Sequence, residues 1–169
     1  MTAELATLER VSDGGTIRFR RQLPYPIDDV WAALTEPERL ADWWPPFATN
    51  VTVDLREGGS MTFDWPEGPQ LEFRFLRITP PTLLEHTHTS PGSWMRYELD
   101  VTDEGTLLRA TYFVPQPKQA IERGDVVGGH YGLDRLEAAL SGHPIPFDGE
   151  AFVSLQGTYA RRGLAAAKA

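Results

Sequence analysis

Apolar positions change their spacing three times along this chain. The runs "ATLERV" and "TIRFRRQL" alternate as strands do, and "SDGG" between them is a turn of residues that tolerate positive φ, so a β-hairpin opens the chain. "LPYPI" ends its second strand. Val30, Trp31 and Leu34 then return at helical spacing, with Asp28 or Asp29 as cap and Pro37 as break. A second short helix is predicted from Pro37 through Leu40, Trp43 and Trp44. Pro45 and Pro46, which have no backbone N–H to give, stop it.

From Thr49 to Val114 alternation takes over. Val51, Val53 and Leu55 share one face, as do Met61, Phe63 and Trp65, and then Leu71, Phe73 and Phe75. Parity blurs at Leu76 and Ile78, the mark of a bulge. "TLLEHTHT", "WMRYELDV" and "TLLRATYFV" complete the strands, and Gly, Pro and Asp clusters separate them, which predicts an antiparallel meander. After Pro117 the helical period returns, breaks at Gly124 and resumes behind a capping Asp125. Gly129, Leu133, Leu136 and Leu140 form one stripe of this longer helix, with Asp134, Arg135 and Glu137 outside it. Ser141-Gly142 closes it, "HPIPFDG" connects, and "EAFVSLQGTYARRGLAAAKA" forms a last helix that frays at its alanine end.

This order predicts an α+β fold. A curved antiparallel sheet wraps around a long C-terminal helix, whose apolar stripe covers it, and two short helices close one end. A twisted sheet curling round one helix leaves room for a ligand cavity between them. With 169 residues, no internal repeat and no low-complexity linker, the chain reads as a single domain, 1–169; its core is 7–142, and 143–169 is a connector and helix.

Composition then excludes several kinds of chemistry. There are no cysteines, hence no disulfide, thiolate metal site or cysteine nucleophile. Sixteen basic against 24 acidic residues leave a net charge of −8, which opposes binding to nucleic acid or to anionic membranes. "MTAELATLER" has neither a basic nor an apolar signal region, and no apolar run approaches the roughly 20 residues that span a bilayer. A cytoplasmic protein is expected.

Three motifs in order, "RQLPYPIDDVWAALTEPERLADWW", "VDLREGG" and "GLDRLEAAL", resemble the activator-of-heat-shock-protein-90-ATPase-homologue-like (AHSA-like) branch of the START-like, or SRPBCC, superfamily. The resemblance runs from about Thr7 to Gly142. It implies a helix-grip fold with an internal pocket for apolar ligands. The superfamily includes polyketide cyclases and aromatases, and this branch many small bacterial proteins of unknown activity. In the family the long helix often opens with Gly-Trp, where this chain has Gly128 and Gly129. Two readings stand: the missing indole enlarges the pocket, or His130 and Tyr131 fill its place.

Trp43 and Trp44 either form the pocket lip or plug the core; adjacent helix residues point about 100° apart, so both cannot face inward equally. His86 and His88, two apart on a strand, share a face, but a metal would need a third ligand that no spacing supplies. They are polar residues of a wetter face or groups that orient a ligand. Phe47, Phe63, Trp65, Phe73, Phe75, Trp94, Tyr97, Tyr112, His130, Tyr131 and Leu133 complete the candidate cavity set. Arg56, Glu85, Arg96, Glu98 and Arg109 read as a solvated outer face, although an inward arginine gripping an anion is the alternative. There is no G-x-S-x-G, phosphate-binding glycine loop or H-E-x-x-H, so no catalytic residue, metal or cofactor is assigned.

The expected function is binding of a small hydrophobic or aromatic molecule. A cyclase- or aromatase-like enzyme using His86, His88, His130, Tyr97 or Tyr131 as acid or base is a second reading. A chaperone regulator or other protein-interaction module is a third, weakened because the eukaryotic cochaperones couple this domain to a second one. Strand edges leave room for a homodimer, though no stretch marks an interface.

Overall fold

A computed structural model describes residues 3–166; the last alanines of the tail expected to fray lie outside the described residues. β1 (Thr7–Val11) and β2 (Gly14–Leu23) form the opening hairpin, joined by Ser12 and Asp13 alone. The two glycines assigned to the turn are instead the first residues of β2. Gly14 is there for close approach, since a Cβ would overlap the Val114 carbonyl on the strand paired with it.

α1 (Ile27–Thr35) begins one residue before Asp28, so neither aspartate caps it. Both stand in its first turn, where a negative charge suits the positive end of the helix. α2 (Pro37–Leu40) is a single turn and stops short of both tryptophans. The Trp43 and Trp44 amides still reach back to the Leu40 carbonyl, but Pro45 turns the residue before it away from helical geometry.

The meander follows as β3 (Asn50–Val53), β4 (Ser60–Asp64), β5 (Leu71–Thr79), β6 (Leu83–Thr87), β7 (Trp94–Thr102) and β8 (Gly105–Val114). All pairings are antiparallel, and β8 returns to β2, giving one eight-stranded sheet in the order β1-β2-β8-β7-β6-β5-β4-β3. The expected bulge lies in β5, where the register against β6 shifts between Phe75 and Arg77. β3 is shorter than predicted, leaving Leu55 exposed beyond it, and Trp65 likewise falls just past β4.

α3 (Pro117–Arg123) ends at Gly124, whose φ of 84° is left-handed, and α4 (Asp125–Leu140) runs on across the inner face of the sheet. Val126, Val127, Leu133 and Leu136 are buried there and belong to one continuous core with Ile17, Phe19, Leu108 and Val114. Asp125 does not cap α4 through its side chain. Arg135 departs from the expected outer face and is 7% exposed. Its guanidinium donates to the Trp43 carbonyl (2.5 Å) and the Ile145 carbonyl (3.2 Å), satisfying two loop acceptors at once.

α5 (Gly149–Ala160) is capped by Asp148, which accepts from the Glu150 and Ala151 amides, and it ends before the alanine-rich tail. It is tied down at both ends. The Tyr159 hydroxyl accepts from the buried Ala6 amide (2.8 Å), and the Tyr131 hydroxyl accepts from the Asp148 amide (2.7 Å). Among the described residues no helix is long and apolar enough to cross a membrane.

Candidate functional site

Sheet and α4 do not close on each other completely. A cavity of about 260 Å³ lies between them. Phe19, Met95, Tyr97, Ala110 and Tyr112, all inward-facing on β2, β7 and β8, form its floor. Gly128, Gly129, Gly132 and Leu133 of α4 form its roof. The end wall is Trp43, Trp44 and His88; Thr89, Arg123, Asp125 and Phe152 stand around the rest of its lining.

The glycines of α4 divide the work. A Cβ on Gly129 would overlap the Phe19 ring, and one on Gly132 would lie 3.3 Å from the Trp44 ring, so helix and aromatic groups are already in contact at both points. Gly128 has nothing within 4 Å of its Cβ position, and this is where the roof is open. The space left by the absent indole is thus taken at Gly129 by a side chain from the sheet. His130 and Tyr131 do not fill it, because they point to the far side of α4. His130 Nδ1 pairs with the Tyr159 hydroxyl (2.8 Å), and Tyr131 packs on Phe147 and Phe152.

Both tryptophans touch the cavity, unequally. Trp43 is 3% exposed and donates its indole N–H to the Ala33 carbonyl (2.8 Å), which locks the ring to α1. Trp44 is only partly buried, tilted against Trp43 with ring centres 6.2 Å apart. It lines the cavity as an aromatic surface that is not locked by a hydrogen bond.

His88 sits among four rings: Tyr112 at 4.7 Å, Phe73 at 4.9 Å, His86 at 5.8 Å and Trp44 at 5.9 Å between centres. Its remaining exposure is toward the cavity and the β6–β7 turn, both of which it lines. Its Nδ1 is buried without a hydrogen-bond partner. Burial, aided by neighbouring His86, pushes its pKa down to about 3. His86 donates from Nδ1 to the Thr87 carbonyl (2.7 Å), and burial pushes it down to about 4. Both imidazoles are therefore neutral under ordinary conditions.

The phenols are neutral too. Burial raises Tyr97, and no charged or hydrogen-bonding group among the described residues offsets that. Tyr112 is raised chiefly by burial, and its hydroxyl donates to Asp125 Oδ2 (3.3 Å). Asp125 in turn holds Arg123 by two contacts, Nη2 to Oδ2 at 2.7 Å and Nε to Oδ1 at 3.3 Å. The two charges that line the cavity thus neutralise each other.

Of the residues singled out in the sequence, Trp43, Trp44, His88, Tyr97, Tyr112 and Leu133 come together on the cavity. Phe63, Phe73, Phe75 and His86 are buried one layer further along the sheet. Five fall elsewhere. Besides His130 and Tyr131, Phe47 is 64% exposed and Trp65 lies with it on an outer apolar groove. Trp94 is on the opposite face of the sheet, stacked on Phe113 at 5.5 Å with Arg96 5.0 Å above its ring, because alternation along β7 sends Met95, Tyr97 and Leu99 inward. Arg96 also binds Glu85 (2.6 Å), which is only 9% exposed, so the outer face is less open at that point than expected. The parity of β2, β7 and β8 would have found Phe19, Met95 and Ala110; nothing local marks Phe152. Among the described residues no three His, Cys, Asp or Glu side chains gather as metal ligands would.

The family model for Activator of Hsp90 ATPase homolog 1-like protein matches residues 24–141. No curated protein matches the sequence. Among solved structures, a Nitrosomonas europaea protein is 28% identical, with a TM-score of 0.66 over 79% of this chain and 97% of its own. A conserved protein of unknown function from Enterococcus faecalis is 19% identical, with a TM-score of 0.75 over 93% of this chain and 89% of its own. An AHSA1-like protein from Aeromonas hydrophila is 21% identical, with a TM-score of 0.62 over 75% of this chain and 92% of its own.

Proposed function

This chain belongs to the Activator of Hsp90 ATPase homolog 1-like family, and we propose on that premise that it is a cytoplasmic binding module for a small hydrophobic or aromatic molecule. The observation that carries the reading is the cavity under Gly128, walled by Trp44 and by a floor of apolar and phenolic side chains. A buried aromatic group removes about 150–250 Å² from water, a gross gain of about 4–6 kcal/mol at 25 cal/mol per Å². The polar atoms around it orient the guest.

Acid–base catalysis has less support here. An efficient general base has a pKa near the working pH, whereas burial holds His88, the imidazole on the cavity, down to about 3.

A thermal-shift and tryptophan-fluorescence screen of flavonoids, aromatic polyketides, fatty acids and apolar carboxylates tests the proposal. One class should stabilise the protein by several degrees, and Gly128→Leu, which fills the open roof, and Trp44→Ala should both lose most of that shift. If no class stabilises the wild type, the binding reading fails.

A further inference from the structure

Resting on the binding reading above, we propose that the cavity takes an uncharged aromatic molecule of one or two fused rings whose hydroxyl or carbonyl oxygen pairs with the Tyr97 hydroxyl. Size sets the first part. A protein cavity of about 150 Å³ accommodates benzene. The 260 Å³ available here admits a second ring but not an extended lipid.

Charge sets the next part. Arg123 and Asp125 are the charged residues of the lining, and they are bound to each other by two contacts. Each charge is already offset by its partner, so a ligand carboxylate or ammonium gains less there than from an unpaired counter-charge. The titratable groups beside them, His88, Tyr97 and Tyr112, are neutral, as burial dictates, and Thr89 carries no charge. A charged guest would be desolvated against uncharged walls.

The polar contact follows from which hydroxyl is already engaged. The Tyr112 hydroxyl donates its hydrogen bond to Asp125. Tyr97, buried and lining the cavity, has no partner among the described residues, so its O–H is free both to donate to a ligand oxygen and to accept from one. Aromatic surface for stacking is at hand in Trp44.

The test is calorimetry on the full chain with naphthalene, 2-naphthol and 2-naphthoate at pH 7, where a carboxylate is ionised and a phenol is not. Naphthalene should bind, 2-naphthol roughly 3–10-fold tighter, as one net hydrogen bond gives, and 2-naphthoate at least 100-fold weaker than the naphthol. Tyr97→Phe should erase the advantage of naphthol over naphthalene and leave naphthalene unchanged. Equal binding of naphthoate and naphthol, or a naphthol advantage that survives in Tyr97→Phe, overturns this inference and leaves the binding reading standing. Failure of all three ligands overturns this inference too, while the binding reading falls only if the wider screen also finds no stabilising class.

Discussion

Gly129 stands directly over the Phe19 ring, so that helix α4 meets strand β2 at a point where no Cβ fits. Phe19 also lines the cavity, and a Cβ there would push its ring out of place. Gly129→Ala is therefore expected to cost about 1–3 kcal/mol by overpacking, which lowers the melting temperature by roughly 2–4 °C per kcal/mol in a chain of this size. Gly128→Ala, one residue away and facing open space, should be neutral or stabilising by up to about 1 kcal/mol through helix propensity. Differential scanning calorimetry of the two variants decides it; equal losses would contradict the geometry.

The tryptophans should separate by role. Trp43→Phe leaves the Ala33 carbonyl without its indole donor and a void in the core, with an expected loss of about 2–4 kcal/mol in urea unfolding. Trp44→Phe, whose ring is only partly buried, should cost less than about 1.5 kcal/mol. The reverse ranking would show that Trp44, not Trp43, is the structural anchor.

Acid should destabilise the fold through its imidazoles. His86 and His130 are each held down to about 4 and His88 to about 3, below the ordinary 6.5, in every case chiefly by burial. The unfolded chain takes up those protons first. The stability from neutral burial is thus complete above pH 6.5 and is lost as pH falls from there through 4. For His86 the full effect is roughly 3 kcal/mol. Urea midpoints between pH 7 and pH 4 should fall less steeply in His86→Gln than in the wild type, and superimposable profiles would refute the assignment.

Tyr159 joins the two ends of the described chain, accepting from the Ala6 amide and pairing with His130. Tyr159→Phe should leave that buried amide unpaired, at a cost of about 1–3 kcal/mol, and speed hydrogen exchange at Ala6. Unchanged exchange there would mean that the bond does not hold the N-terminal segment.

Arg135→Lys tests a different kind of bond. A guanidinium reaches the Trp43 and Ile145 carbonyls together from separate nitrogens, a geometry that a single ammonium does not reproduce. Calorimetry should show a loss of about 1–3 kcal/mol, the cost of one buried acceptor left unpaired. Wild-type stability in the lysine variant would reduce this bridge to a matter of charge alone.

Much of the fold could be read from local pattern. Two-residue alternation, glycine and proline punctuation, and the return of helical spacing after Pro117 correspond to the strands, turns and long helix observed, including the bulge in β5. Boundaries moved where a neighbour distant in sequence intervened. Gly14 entered a strand because the β8 backbone lies against it.

The cavity was less accessible to that reasoning. Trp94 and Tyr97 both stood among the cavity candidates although alternation along β7 puts them on opposite faces, and helical spacing put Gly129 and Leu133 on one stripe. Which of these faces met an opening, and which met another side chain, depended on packing between segments. Phe19 fills what the sequence left open at Gly129, Phe152 reaches the lining from a helix after the connector, and His130 turns away to Tyr159. The sequence by itself determined the α+β order and the absence of thiol chemistry, because those depend on spacing within a segment and on residue type. The tertiary structure alone decided where the space lies and that its charges are cancelled, because close packing and ion pairing are relations between residues far apart in the chain.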